Sequence, residues 1–166
     1  MFIGGTTTII TFCGHKTIYG HEDSLRQQLY DVLNSILKNT SEQETPLPLY
    51  CGGYGGFDSL VSKVIDELRA VSNAKLEKIF VTPYILPSYK ERNDFMRQFY
   101  DEILYPPIET TPYRLAIVKR NEWMVDQADV VIAYVLHSWG GAAHTLEYAE
   151  RKKKCIIRLG VQSSEN

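Results

Sequence analysis

The chain has no apolar run approaching the ~20 residues that span a bilayer, and Met1–Ile10 lacks the basic start of a signal peptide. Both absences lead us to expect a cytoplasmic protein with no membrane partner. Cysteine is scarce, with three at Cys13, Cys51 and Cys155. None forms a Cys-x-x-Cys pair, and the four histidines show no ligand spacing beside them, so neither a metal nor another cofactor is expected. All three cysteines fall at ends of expected strands, where a small soft side chain packs well. Cys13 and Cys51 adjoin glycine loops, which leaves a reactive thiol as the alternative. An excess of positive charge is also missing, since the formal net charge is -2. That balance supplies no global field for nucleic acid and argues against it as a partner. The basic run Arg151–Lys154 falls in the last turn of an expected helix, where cations suit the dipole.

What is present is an alternation of short apolar runs and amphipathic stretches over 166 residues, 44% of them hydrophobic, enough for one well-filled domain. Thr7–Cys13 is β-branched and apolar, a first strand ending in Gly14-His15-Lys16. Leu25, Leu29, Val32, Leu33 and Ile36 then recur at helical spacing. Leu47–Cys51 reads as a second strand, and a helix with Leu60, Val64, Leu68 and Val71 on one face follows Gly52-Gly53-Tyr54-Gly55-Gly56. Four glycines in five positions exceed what a turn needs and point to close approach by a ligand or by another backbone. Asp58, in the first turn of that helix, can cap it or face a bound group.

Lys78–Thr82 is a third strand. The segment 83–112 is irregular, with Pro83, Pro87, Pro106, Pro107 and Pro112 and several tyrosines; Asn93–Leu104 could be helical within it. Such an excursion from a strand's carboxyl end either walls a ligand or packs as a surface flap on its own tyrosines. A helix over Tyr113–Gln127 leads to Val130–Val135, an apolar run that suits a strand covered on both faces. Ser138-Trp139-Gly140-Gly141 then opens a helix through Ala142, His144 and Thr145. Strand, glycine turn and helix N-terminus leave backbone N–H groups aimed at one point, with the positive dipole end behind them, a natural seat for phosphate. Lys154–Leu159 is a final strand. The expected architecture is therefore α/β: a Rossmann-like, open, doubly wound parallel sheet with helices on both faces.

The residues Phe12-Cys13-Gly14, Gly52–Gly56, Arg120…Met124…Ala128-Asp129 and Gly140-Gly141…Glu147 resemble the SLOG superfamily. It takes in the Lonely guy phosphoribohydrolases and the DNA-processing protein Smf/DprA, and the likeness is greatest to small SLOG proteins of Gram-positive bacteria and their phages. The Lonely guy pattern is kept at Arg120, Met124, Asp129, Gly140, Gly141 and Glu147. It departs at Asn121, where Lys would stand, and at Trp139, Ala143 and His144, which replace the Pro, third Gly and Thr of the phosphate loop.

The resemblance implies a nucleotide-derived small molecule as partner, of ADP-ribose type or a cyclic nucleotide signal, sensed or sequestered in a bacterial or phage-infected cell by a homo-oligomer. Its ligand residues would be Gly14, His15, Lys16, Gly52, Gly53, Tyr54, Gly55, Gly56, Asp58, Arg120, Ser138, Trp139, Gly140, Gly141, Ala142, His144 and Thr145. The alternative it implies is hydrolysis of a nucleoside monophosphate, with Glu147 and Arg120 as the catalytic pair. Each residue also has a plainer reading. Glu147 can be an exposed helix residue, Arg120 can pair with Glu122 or Asp126, His144 can be solvated, and Trp139 can be core.

Overall fold

The computed structural model describes residues 7–40 and 44–160. Its first strand, β1 (Ile10–Gly14), leads to α1 (Glu22–Asn39), β2 (Leu47–Cys51), α2 (Gly56–Ser72) and β3 (Leu76–Val81). A 3-10 turn, the short α3 (Lys90–Met96) and β4 (Glu102–Leu104) follow. The described residues close with α4 (Ala116–Gln127), β5 (Val130–Tyr134), α5 (Gly141–Arg151) and β6 (Cys155–Arg158). All six strands are parallel, in the order β4-β3-β2-β1-β5-β6.

The hydrophobic periodicity sorts the helices onto two faces. Leu25, Leu29 and Leu33 of α1 and Val61, Val64, Ile65 and Leu68 of α2 are buried together against one side of the sheet. Burial of each such side chain contributes roughly 1.5–3 kcal/mol. Val125 of α4 and Ala149 of α5 pack with Val131 and Ala133 in a separate cluster, while Met124 joins Ile79 and Val81. The doubly wound expectation holds. Because β1 has β2 on one side and β5 on the other, the chain reverses direction across the sheet at β1, and loops from both halves open a crevice at the carboxyl ends there.

β4 departs from the expected helix over Asn93–Leu104, and Asp101 supplies the reason. Its carboxylate accepts the Lys78 N–H (2.6 Å) and a contact from Arg69, while its own N–H donates to the Lys78 carbonyl (2.8 Å). This reciprocal docking on β3 starts a fourth strand that three edge residues could not announce by pattern. Cys155 is exposed on the edge strand β6, whereas Cys13 and Cys51 are buried as expected. Burial pushes the Cys13 thiol up to about 12, which leaves it protonated and unreactive at neutral pH. No helix among the described residues is long and apolar enough to cross a membrane, and no cluster of them could hold a metal ion.

Candidate functional site

A cavity of about 1070 Å³ lies along the carboxyl ends of β1, β2, β3 and β5. Of the expected ligand residues, Gly14, His15, Lys16, Gly52, Gly53, Tyr54, Gly55, Asp58, Arg120, Trp139, Gly140, Gly141, Ala142 and Thr145 line it. Gly56, Ser138 and His144 do not. Glu147 is exposed on α5, also outside the lining, and His144 turns to Glu122 at 3.3 Å.

The two glycine loops differ in what they offer. Gly55 and Gly140 precede α2 and α5 in nearly the same backbone conformation (φ 93°, ψ 176° and φ 91°, ψ 179°), a region that strains any residue with a Cβ. At α2, however, the first N–H groups are already taken: Gly56 donates to the Lys16 carbonyl (2.7 Å) and Phe57 to that of His15 (3.3 Å). A Cβ at Gly14 would stand 2.1 Å from Phe57, and one at Gly56 would stand 2.7 Å from the Lys16 carbonyl oxygen. At Gly55 and Gly56 another backbone is thus what the glycines admit, whereas Gly14 makes room for the Phe57 ring. Gly53 is filled in turn by Phe80 and Met96, and Gly52 by Asp58 and Arg120.

At α5 the reverse holds. The N–H groups of Gly141, Ala142 and Ala143 meet no acceptor among the described residues, and α5 has no side-chain cap. Nothing lies within 4 Å of a Cβ built at Gly141. The unspent donors and dipole of an 11-residue helix therefore face the cavity.

Beside this end stands a stack of three rings. His15 lies on His137 (4.0 Å, 22°), and His137 on Trp139 (3.8 Å, 12°). Trp139 is 70% exposed, so its outer face is open; it is not core. The Leu136 N–H donates to His15 Nε2 (2.7 Å), which requires the neutral ring with its proton on Nδ1. Burial, then His137, lowers the His15 pKa in the same sense. His15 therefore holds the stack and cannot also donate through Nε2 to a phosphate.

Arg120 is buried. Its Nη1 donates to the Gly52 carbonyl (3.0 Å) and to the Val81 carbonyl, and its Nε to Asn121 (2.8 Å). These partners join the ends of β2 and β3 and stand in place of the plainer alternative, pairing with Glu122 or Asp126. Asp58 accepts the Tyr54 N–H (3.0 Å) and so braces the glycine loop. Burial pushes its pKa up to about 6, against the lowering pulls of Arg120 and of that hydrogen bond. On the opposite wall, Arg92 lies over the Tyr54 ring (4.1 Å) and Tyr84 stacks on Tyr89 (4.3 Å) and Tyr113 (4.9 Å). The insert is thus partly a wall of the cavity and partly packed on its own tyrosines, and two of its residues, Tyr84 and Arg92, enter the lining. Sequence reasoning offered the insert as a ligand wall but singled out neither residue for the site, and it missed His137. Tyrosine density was the visible trace of the first; nothing marked the others.

No protein-family model and no curated protein matches the chain. Among solved structures it is similar to DNA processing protein A from Helicobacter pylori, described for its single-stranded DNA binding mode, at TM-score 0.61 and 17% identity. That match covers 96% of this chain and 68% of the other. DNA processing protein A (DprA) from Streptococcus pneumoniae matches at TM-score 0.62 and 14% identity, over 96% of this chain. The chain spans about half of the pneumococcal protein's length, 52%. The fold is the Rossmann-like fold of DprA, which bears out the Smf/DprA likeness at the level of architecture.

The expectation that argued against nucleic acid is corrected by the same comparison, because a protein of this fold binds single-stranded DNA. The physical reason is local. Net charge averages over the surface, whereas the cavity lining carries Lys16, Arg92 and Arg120 against one carboxylate, Asp58. A chain of net charge -2 can present a positive groove.

Proposed function

We propose that this chain binds a nucleotide-derived ligand in the crevice, its phosphate at the α5 N-terminus and its base on Trp139. The observation that carries this reading is the adjacency of the two: open N–H donors at Gly141–Ala143 beside an open indole face backed by two histidines. The ligand is of ADP-ribose type or a cyclic nucleotide signal, and the protein senses or sequesters it. Binding is favoured over N-glycosidic hydrolysis. Glu147 is exposed outside the crevice, the guanidinium of Arg120 is engaged with backbone carbonyls, and the one lining carboxylate braces a loop.

A second reading is single-stranded DNA, favoured by the three cations of the groove and by the ligand of the Helicobacter pylori protein. Its cost is salt sensitivity, since each phosphate neutralised releases counterions. A thermal-shift screen against AMP, ADP-ribose, cyclic dinucleotides and a single-stranded oligonucleotide, with chromatography of each mixture afterwards, tests all three. A small nucleotide that raises the melting temperature and is recovered intact supports the first reading. Stabilisation only by the oligonucleotide, fading with salt, supports the second. A free base in the chromatogram would revive hydrolysis, and no shift with any compound would overturn the nucleotide site.

A further inference from the structure

The crevice has an aromatic surface at each end. One is Trp139 on its histidine stack, beyond β5; the other is Tyr84, beyond β3, half-exposed and backed by Tyr89 and Tyr113. Both line the same cavity. The sheet order β3-β2-β1-β5 sets three strand spacings between them, roughly 14 Å at about 4.8 Å each. The loops after β1 and β2 lie in that interval, and Lys16 and Arg92 border it with Arg120 beneath. A single nucleotide has one base to stack and reaches one end only. At about 1070 Å³ the cavity also stands at the upper limit of ordinary small-molecule sites, roughly 300–1,000 Å³.

We propose that the crevice takes a two-base ligand: one base on Trp139, the other on Tyr84, and the connecting phosphates across the β1 and β2 loops between them. This rests on the nucleotide reading above and extends it from a phosphate and one base to the whole length of the crevice. The same chemistry occurs in a free dinucleoside polyphosphate and in neighbouring nucleotides of a single strand. In both, anionic linkers would face Lys16 and Arg92 while the rings occupy the ends.

Calorimetric titration with AMP, diadenosine tetraphosphate and a single-stranded adenine oligonucleotide tests the inference, using the intact chain and the variants Trp139→Ala, Tyr84→Ala and Tyr84→Leu. Tyr84→Leu keeps the apolar bulk behind the insert if the alanine variant folds poorly. The expected result is a two-base probe at least about tenfold tighter than AMP, from the stacking of a second base. Tyr84→Leu should bring that ratio toward one, and Trp139→Ala should weaken every probe. Preference for the tetraphosphate identifies a free dinucleotide as the source; preference for the oligonucleotide identifies a strand. If AMP binds as tightly as both two-base probes, or if the ratio survives Tyr84→Leu, the inference falls and the one-base reading stands. If no probe binds, the nucleotide reading itself falls.

Discussion

The Arg120 guanidinium donates to the Gly52 carbonyl at 3.0 Å, across a separation of 68 residues, and ties the end of β2 to the start of the fourth helix. With a second bond to the Val81 carbonyl it closes the floor of the crevice at β3 as well. Burial lowers the Arg120 pKa, and Asp58 is the opposing charge that raises it. Replacing Arg120 by Met removes the charge and leaves two buried carbonyls without a donor, each costing about 1–3 kcal/mol. Urea unfolding of Arg120→Met should show a loss of roughly 3 kcal/mol. An unchanged midpoint with weakened ligand binding would instead make Arg120 a contact residue alone.

Gly14 and Gly141 should respond oppositely to alanine. At Gly14 the new Cβ meets the Phe57 ring, and overpacking of this kind costs about 1–3 kcal/mol or more. At Gly141 the Cβ enters open space at the start of a helix, and stability should stay level or rise by a few tenths of a kcal/mol. Thermal melts of the two variants check the pair. Equal losses would contradict the contrast between a glycine packed against a ring and one left open.

The same contrast separates what the sequence made legible from what it did not. The strand–glycine–helix units were visible because apolar runs, glycines and amphipathic spacing are local signals, and they fixed the α/β architecture. Both glycine loops carried that same signal. Only tertiary packing decides that Lys16 and His15 carbonyls consume the donors of α2 and leave those of α5 free. Likewise Asp101 makes β4 through a partner 23 residues away, and His137 becomes part of a ring stack through His15, 122 residues away. No pattern within either segment states those pairings.

Asp58 supplies a pH signature. Its carboxyl has a pKa raised from 3.8 to about 6, so the folded state holds a proton that the unfolded chain gives up. Stability from this group is full below the unfolded value, declines as pH rises from about 4 to 6, and is lost above. Asp58→Asn, which stays neutral, should therefore gain on the native protein by roughly 2 kcal/mol between pH 4 and pH 7.5. Urea unfolding at the two pH values checks this; a difference that does not grow with pH would contradict it.

His15 gives a second signature of opposite sense. Because its ring accepts the Leu136 N–H and its pKa is lowered, the stabilising form is neutral. That contribution is present above the ordinary histidine value near 6.5 and is lost as pH falls below it. In an NMR titration the His15 ring should titrate below 6.5, and the Leu136 amide should move with the same midpoint. A Leu136 amide indifferent to the His15 transition would show that the bond does not form.

The most direct test of the nucleotide site is an amide NMR titration with AMP that follows two helix starts at once. Phosphate at α5 should shift the Gly141, Ala142 and Ala143 amides and the Trp139 indole. The Gly56 and Phe57 amides, already bonded to Lys16 and His15, should stay in place. Shifts at Gly56 and Phe57 with none at Gly141–Ala143 would contradict the account.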